Sequence, residues 1–159
     1  MAKTVLQLGQ EIETLTPAEF RRHLDEILRS WRVELGRAGK FPRFHASATV
    51  AGDGSVAIVP GQDNRLGPDP SIVWSVKGIA VTGLSTGEAV DMTINGNTPV
   101  RTFAAPTVGK ISSEKFGSDE LVLYDSDHLE FAGTALTSGE IIVVSGRVHE
   151  VPIELVRTL

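Results

Sequence analysis

The spacing of apolar residues changes period near residue 43. Over TPAEFRRHLDEILRSWRVEL, residues 16–35, Phe20, Leu24, Ile27, Leu28, Trp31 and Leu35 recur at intervals of three and four, which places them on one face of a helix. Thr16 is positioned to cap that helix, Pro17 suits its first turn and Glu19 completes a capping box. Leu15 and Phe20 lie near hydrophobic-staple spacing, and Gly36 and Gly39 supply the exit. Arg21, Arg22, Asp25, Glu26, Arg29 and Arg32 mostly take the opposite side. The steps 20, 24, 27 and 31 also match a short coiled-coil seam. The apolar stripe therefore packs either on the chain's own β body or on a matching helix of another copy.

From Arg43 onward the alternation is that of strands. FHASATV and SVAIVP flank the turn AGDG at 51–54 and read as a hairpin. GQDNRLGPDP follows as a Gly- and Pro-rich linker. From residue 71 come IVWSVKGIAVTG, EAVDMTING, VRTFAAP, SEKFGSDELVLY, HLEFAGT, EIIVVSGRVHEVP and IELVRT. The turn-forming stretches STG, NGN, GSDE and TSG stand between them. No long helical pattern interrupts this series, which argues against a parallel βαβ fold. The expectation is a mainly β protein: an antiparallel β-sandwich, such as a jelly roll, preceded by an N-terminal amphipathic helix. Its parts are a helical docking or oligomerisation region at 1–45, a hairpin and linker at 46–70, and a sandwich domain at 71–159. Expected core residues are Val73, Trp74, Val76, Ile79, Val81, Val90, Met92, Ile94, Val122, Leu129, Phe131, Ile141, Val143 and Val148.

Charge sharpens this division. Residues 1–45 hold eight Lys/Arg against six Asp/Glu, and residues 46–159 hold seven against fourteen. An acidic β body argues against a broad duplex-binding surface and against specific nucleic-acid recognition. Arg37, Lys40 and Arg43 form only a small basic patch after the helix. No apolar run is long enough to span a bilayer, and the first residues lack the pattern of a secretory signal. The chain has no cysteine, which excludes disulfides, thiolate metal sites and cysteine nucleophiles.

The densest chemistry lies at DSDH, residues 125–128. Asp125 and Asp127 are candidate cation ligands, with His128 beside them. Asp127 and His128 would point to opposite faces if both lay in a strand. The stretch therefore reads as a turn, a cation site or an acid–base site, with the turn preferred. His23, His45 and His149 form no metalloprotease spacing, and neither a nucleophile elbow nor a phosphate loop is present. Asp63, Asn64 and Arg65 are candidate sugar ligands, with Trp74 as a stacking face if it is exposed.

Several stretches carry a family resemblance: IVWSVKGIAVTG, VDMTINGNTPVRTF and DELVLYDSDHLEFAGTALTSGEIIVVSGRVHEVP, covering most of residues 71–152. They resemble small structural proteins of tailed bacteriophages, particularly those of actinobacterial phages. In that pattern Trp74 begins a wall strand and Asn95–Gly96 forms a hairpin-like turn. Leu129 and Phe131 fill the sandwich, and Thr137–Ser138–Gly139 turns into Ile141–Val144. The resemblance implies a non-enzymatic virion subunit of the head, neck, tail or fibre, assembled in the bacterial host cytoplasm without a cofactor. Its implied partners are copies of itself, for instance in a trimer, and other virion proteins. Phe20, Leu24, Ile27, Leu28 and Trp31 are the expected assembly face. The alternatives are a glycan-binding module that attaches to a host surface and a small hydrolase.

Overall fold

The computed structural model describes residues 41–105, 111–117 and 120–157, together with Glu19, Arg22 and Glu26. The chain divides into two compact units, Met1–Gly39 and Lys40–Leu159. In the first unit Glu19, Arg22 and Glu26 are helical and exposed. The expected apolar face of Phe20, Leu24, Ile27, Leu28 and Trp31 lies outside the described residues.

The second unit contains β1 (Arg43–Thr49), β2 (Val56–Ile58), β3 (Ile72–Thr82), β4 (Ala89–Ile94), β5 (Arg101–Ala104), β6 (Ile111–Lys115), β7 (Val122–Tyr124), β8 (Leu129–Gly133), β9 (Ile141–Pro152) and a short helix α1 (Ile153–Arg157). Sheet I has the order β1-β9-β3-β6, with β7 also paired to β3, and sheet II has the order β2-β8-β4-β5. Every pairing is antiparallel. The pairs are nested, β1 with β9, β2 with β8, β3 with β6 and β7, and β4 with β5. Pairs β3·β9 and β4·β8 close the roll. This is the winding of a jelly roll, with one strand position shared by β6 and β7. No described helix is long and apolar enough to cross a membrane.

The inner faces meet in one apolar cluster. Sheet I contributes Phe44, Trp74, Val76, Ile79, Ile142 and Val144, and sheet II contributes Ile58, Val90, Met92, Phe103, Leu129 and Phe131. Phe44 stacks on Trp74 with ring centroids 5.8 Å apart. Gly146 makes that stack possible, because a Cβ there would lie 2.2 Å from Phe44 Cε1.

Three expectations need correction. β1 and β2 do not form a hairpin: β1 pairs with β9 in sheet I and β2 with β8 in sheet II, so residues 43–58 are integral to the sandwich. In the run IIVV the buried positions are Ile142 and Val144, whereas Ile141 is 59% exposed. Leu123 likewise replaces Val122 in the core. A continuous apolar run fits either register, and cross-strand pairing selects one. Finally, IELVR is helix α1 rather than a strand. Pro152 has no N–H to extend the ladder, and the Ile153 N–H instead donates to the Ser71 carbonyl at 2.8 Å.

Candidate functional site

The fold brings together two stretches that sequence reasoning kept apart. The 61–68 loop and the 125–128 turn line one shallow depression of about 510 Å³, with Asn64, Arg65, Asp125, Asp127, His128 and Glu130 on its walls. The approach is close: a Cβ on Gly67 would lie 2.4 Å from the Asp127 carbonyl oxygen.

Residues 124–127 form the turn between β7 and β8. The Asp127 N–H donates to the Tyr124 carbonyl at 2.6 Å, and Asp127 Oδ2 accepts the Tyr124 N–H at 3.0 Å. Asp127 Oδ1 accepts Asn95 Nδ2 at 2.8 Å. Asn95 answers with its Oδ1, which accepts the His128 N–H at 2.9 Å. Asp125 Oδ1 instead accepts the Ser71 N–H at 3.1 Å. Ser71 has φ of 67° and Asn95 of 54°, both left-handed, a region that asparagine tolerates better than most residues. The two aspartates thus serve different loops. Among the described residues, no group of three or more His, Asp or Glu is placed to hold a metal ion.

His128 Nε2 lies 2.8 Å from Glu130 Oε1, with both side chains about one-third exposed. The neighbouring cation is already engaged, since Arg65 pairs with Asp69 at 2.8 Å and Glu150 at 2.7 Å.

Trp74 is not a sugar platform. It is 1% exposed, its Nε1 donates to Glu150 Oε1 at 2.8 Å, and Arg65 stands 5.2 Å above its ring. Asn64 is also tied locally, pairing through its backbone with Gly61 at 3.1 Å in both directions. Of the four glycan candidates, Asp63, Asn64 and Arg65 are on the surface and Trp74 is not.

Two clamps were not legible in the sequence. Glu88 is 9% exposed; its Oε2 accepts the Ser85 N–H at 2.7 Å. Its Oε1 accepts the Thr137 N–H at 2.6 Å and hydroxyl at 2.7 Å. The Ser85 and Thr137 hydrogen bonds hold its carboxyl below the usual carboxylate range. Arg101 of β5 pairs with Glu114 of β6 at 3.0 Å and with Glu120, closing one side of the sandwich between the sheets. Hydrogen bonds from the Gly117 N–H and then Arg101 lower the Glu120 pKa. Only the STG and TSG turns hinted at Glu88, and nothing local links Arg101 to Glu114.

No family model matches the chain. No curated protein matches it either. Among solved structures, it is similar to a chain of the acid-stable capsid structure of Helicobacter pylori bacteriophage KHP30, with 11% identity, TM-score 0.45, and coverage of 70% of this chain and 88% of that one. The virus-like particle of the extra small virus of the prawn Macrobrachium rosenbergii gives 8% identity, TM-score 0.40, and coverage of 70% and 79%. A Bacillus endospore appendage protein gives 11% identity, TM-score 0.40, and coverage of 72% and 88%. At these identities and scores the likenesses assign the chain neither a family nor an activity.

Proposed function

We propose that the chain is a non-enzymatic structural subunit of a virion, repeated in many copies, and that the virion is that of a tailed bacteriophage. The carrying observation is a pair of exposed isoleucines, Ile111 and Ile141, at one end of the sheet I outer face. Cross-strand pairing sets Ser47, Val143, Thr82 and Ile111 in one row and Thr49 and Ile141 in the next. Ile111 is 60% exposed and Ile141 59% exposed. Side chains of this kind on a sheet face gain from burial against another protein surface, at about 25 cal/mol per Å² of apolar area removed from water. The jelly-roll winding, which recurs in capsid domains, supports the reading by analogy of fold.

In this reading, copies meet through the Ile111 and Ile141 end of sheet I and through the sequence-expected apolar face of Phe20, Leu24, Ile27, Leu28 and Trp31. They assemble in the host cytoplasm, in trimers or higher orders, alongside other virion proteins. The direct test is stoichiometric recovery of the chain in purified particles, combined with the mass of the isolated protein. Leu24→Ala with Trp31→Ala, and separately Ile111→Lys with Ile141→Lys, are expected to lower the assembly order. Unchanged assembly in both double variants would sink the proposal.

A further inference from the structure

The basic end of the same face carries a second message. Arg43 of β1 lies opposite Arg147 of β9, Arg147 opposite Gly78 of β3, and Gly78 opposite Lys115 of β6. These four positions form one row across sheet I, about 14 Å long at ordinary strand spacing. Lys77 occupies the bulge beside Gly78. Together Arg43, Lys77, Lys115 and Arg147 rim a depression of about 540 Å³ whose floor includes Gly78 and Ala80.

These cations differ from Arg65 and Arg101. Arg65 and Arg101 each bind two carboxylates. Among the described residues, no carboxylate pairs with Arg43, Lys77, Lys115 or Arg147, and Lys77 Nζ donates to Ser75 Oγ at 2.8 Å. The one carboxylate lining the depression, Glu114, is bound by Arg101 at 3.0 Å. Like charges placed directly across a strand pair are destabilising, so the fold bears a cost at Arg43 and Arg147 that an anionic occupant would remove. An aromatic ring adjoins the row. Phe41 is 66% exposed and stacks on His149 with centroids 4.4 Å apart, and among the described residues no second ring stacks on it.

We propose that this end of sheet I binds the phosphodiester backbone of single-stranded nucleic acid without reading its sequence. A row with cations at both ends engages successive phosphates of a strand, and arginine forks suit phosphate oxygens. The exposed Phe41 ring suits an unpaired base rather than a duplex, in which bases stack on one another. The acidic net charge of the body limits affinity, so binding depends on the local row and is steeply salt-sensitive. The inference stands apart from assembly, since its residues lie at the opposite end of the face from Ile111 and Ile141.

The experiment is fluorescence anisotropy of a labelled oligothymidylate titrated with the full chain across a salt series. Binding is expected to show a slope of log affinity against log salt of about −2 to −3, at roughly −0.7 per phosphate neutralised. The Arg43→Ser/Arg147→Ser variant is expected to lose at least tenfold in affinity and to flatten the slope by about 1.4. Phe41→Ser weakens binding and leaves the slope alone. Melting of the double variant at or above the wild-type temperature keeps misfolding out of the result. Failure to bind at low salt, or equal affinity in the double variant, overturns the proposal. Equal competition by polyglutamate, which would mark an acidic protein partner, overturns it too. So does equal competition by inorganic phosphate.

Discussion

The acidic depression at the 125–128 turn and the basic depression on sheet I differ in how their charges are answered. In the first, Asp127 accepts hydrogen bonds from Tyr124 and Asn95, Asp125 accepts one from Ser71, and Arg65 is held between Asp69 and Glu150. In the second, Arg43 and Arg147 face each other across the β1–β9 pair, with no carboxylate partner among the described residues. The acidic groups are close in sequence; Asp127 closes its own turn through the Tyr124 N–H, and the two aspartates tie that turn to Ser71 and Asn95. The basic groups come from four strands and, among the described residues, pair with no carboxylate. Clustered charge in a sequence is therefore a poor guide to free charge on a surface: short-range clusters tend to satisfy the backbone around them.

This contrast can be broken at either end. The largest effect is expected at Glu88, the most buried of the holding carboxylates. Glu88→Ala strands the Ser85 and Thr137 N–H groups and should cost about 3 kcal/mol in denaturant unfolding, at 1–3 kcal/mol for each unsatisfied donor. Asp127→Ala should cost about 2 kcal/mol, because it unpins the Tyr124 N–H and Asn95. A loss near zero there would erase the distinction between the two depressions.

Acid should act on the same class of group. The Glu88 carboxyl is depressed below its ordinary value of 4.5, so its contribution is fully present above that value and is lost as pH falls through the lowered folded value. Melting temperature should thus fall as pH drops below about 4.5, and fall less steeply in Glu88→Gln. The smallest effect belongs to the basic face. Arg43→Ser with Arg147→Ser should change stability by no more than about 0.5 kcal/mol, and in the stabilising direction. A loss above 1 kcal/mol would give those arginines a structural role.

Fold class was readable because it rests on local pattern. Asn95–Gly96 makes the tight turn its sequence suggests, with φ of 54° and 68° and the Asn97 N–H donating to Ile94 at 3.1 Å. Pairing partners were not readable: β1 and β9 are about a hundred residues apart, and only register reveals that Arg43 meets Arg147. The same gap hid the inward phase of Ile142 and Val144. DSDH was legible as a turn, because Asp side chains reach nearby backbone N–H groups. Its clamp, Asn95, lies 33 residues from His128 and left no local trace. Trp74 shows the converse: its neighbours Val73 and Val76 signalled burial, while the Arg65 and Glu150 contacts that fix its ring required the folded chain.

The central claim is that the sheet I outer face makes this chain a repeating subunit. Native mass spectrometry of the full chain, alone and as Ile111→Lys/Ile141→Lys, tests it most directly. The account predicts a multimer for the unaltered protein and a lower order, with unchanged melting, for the variant. A stable monomer across the concentration range, or a multimer indifferent to both lysines, would contradict it.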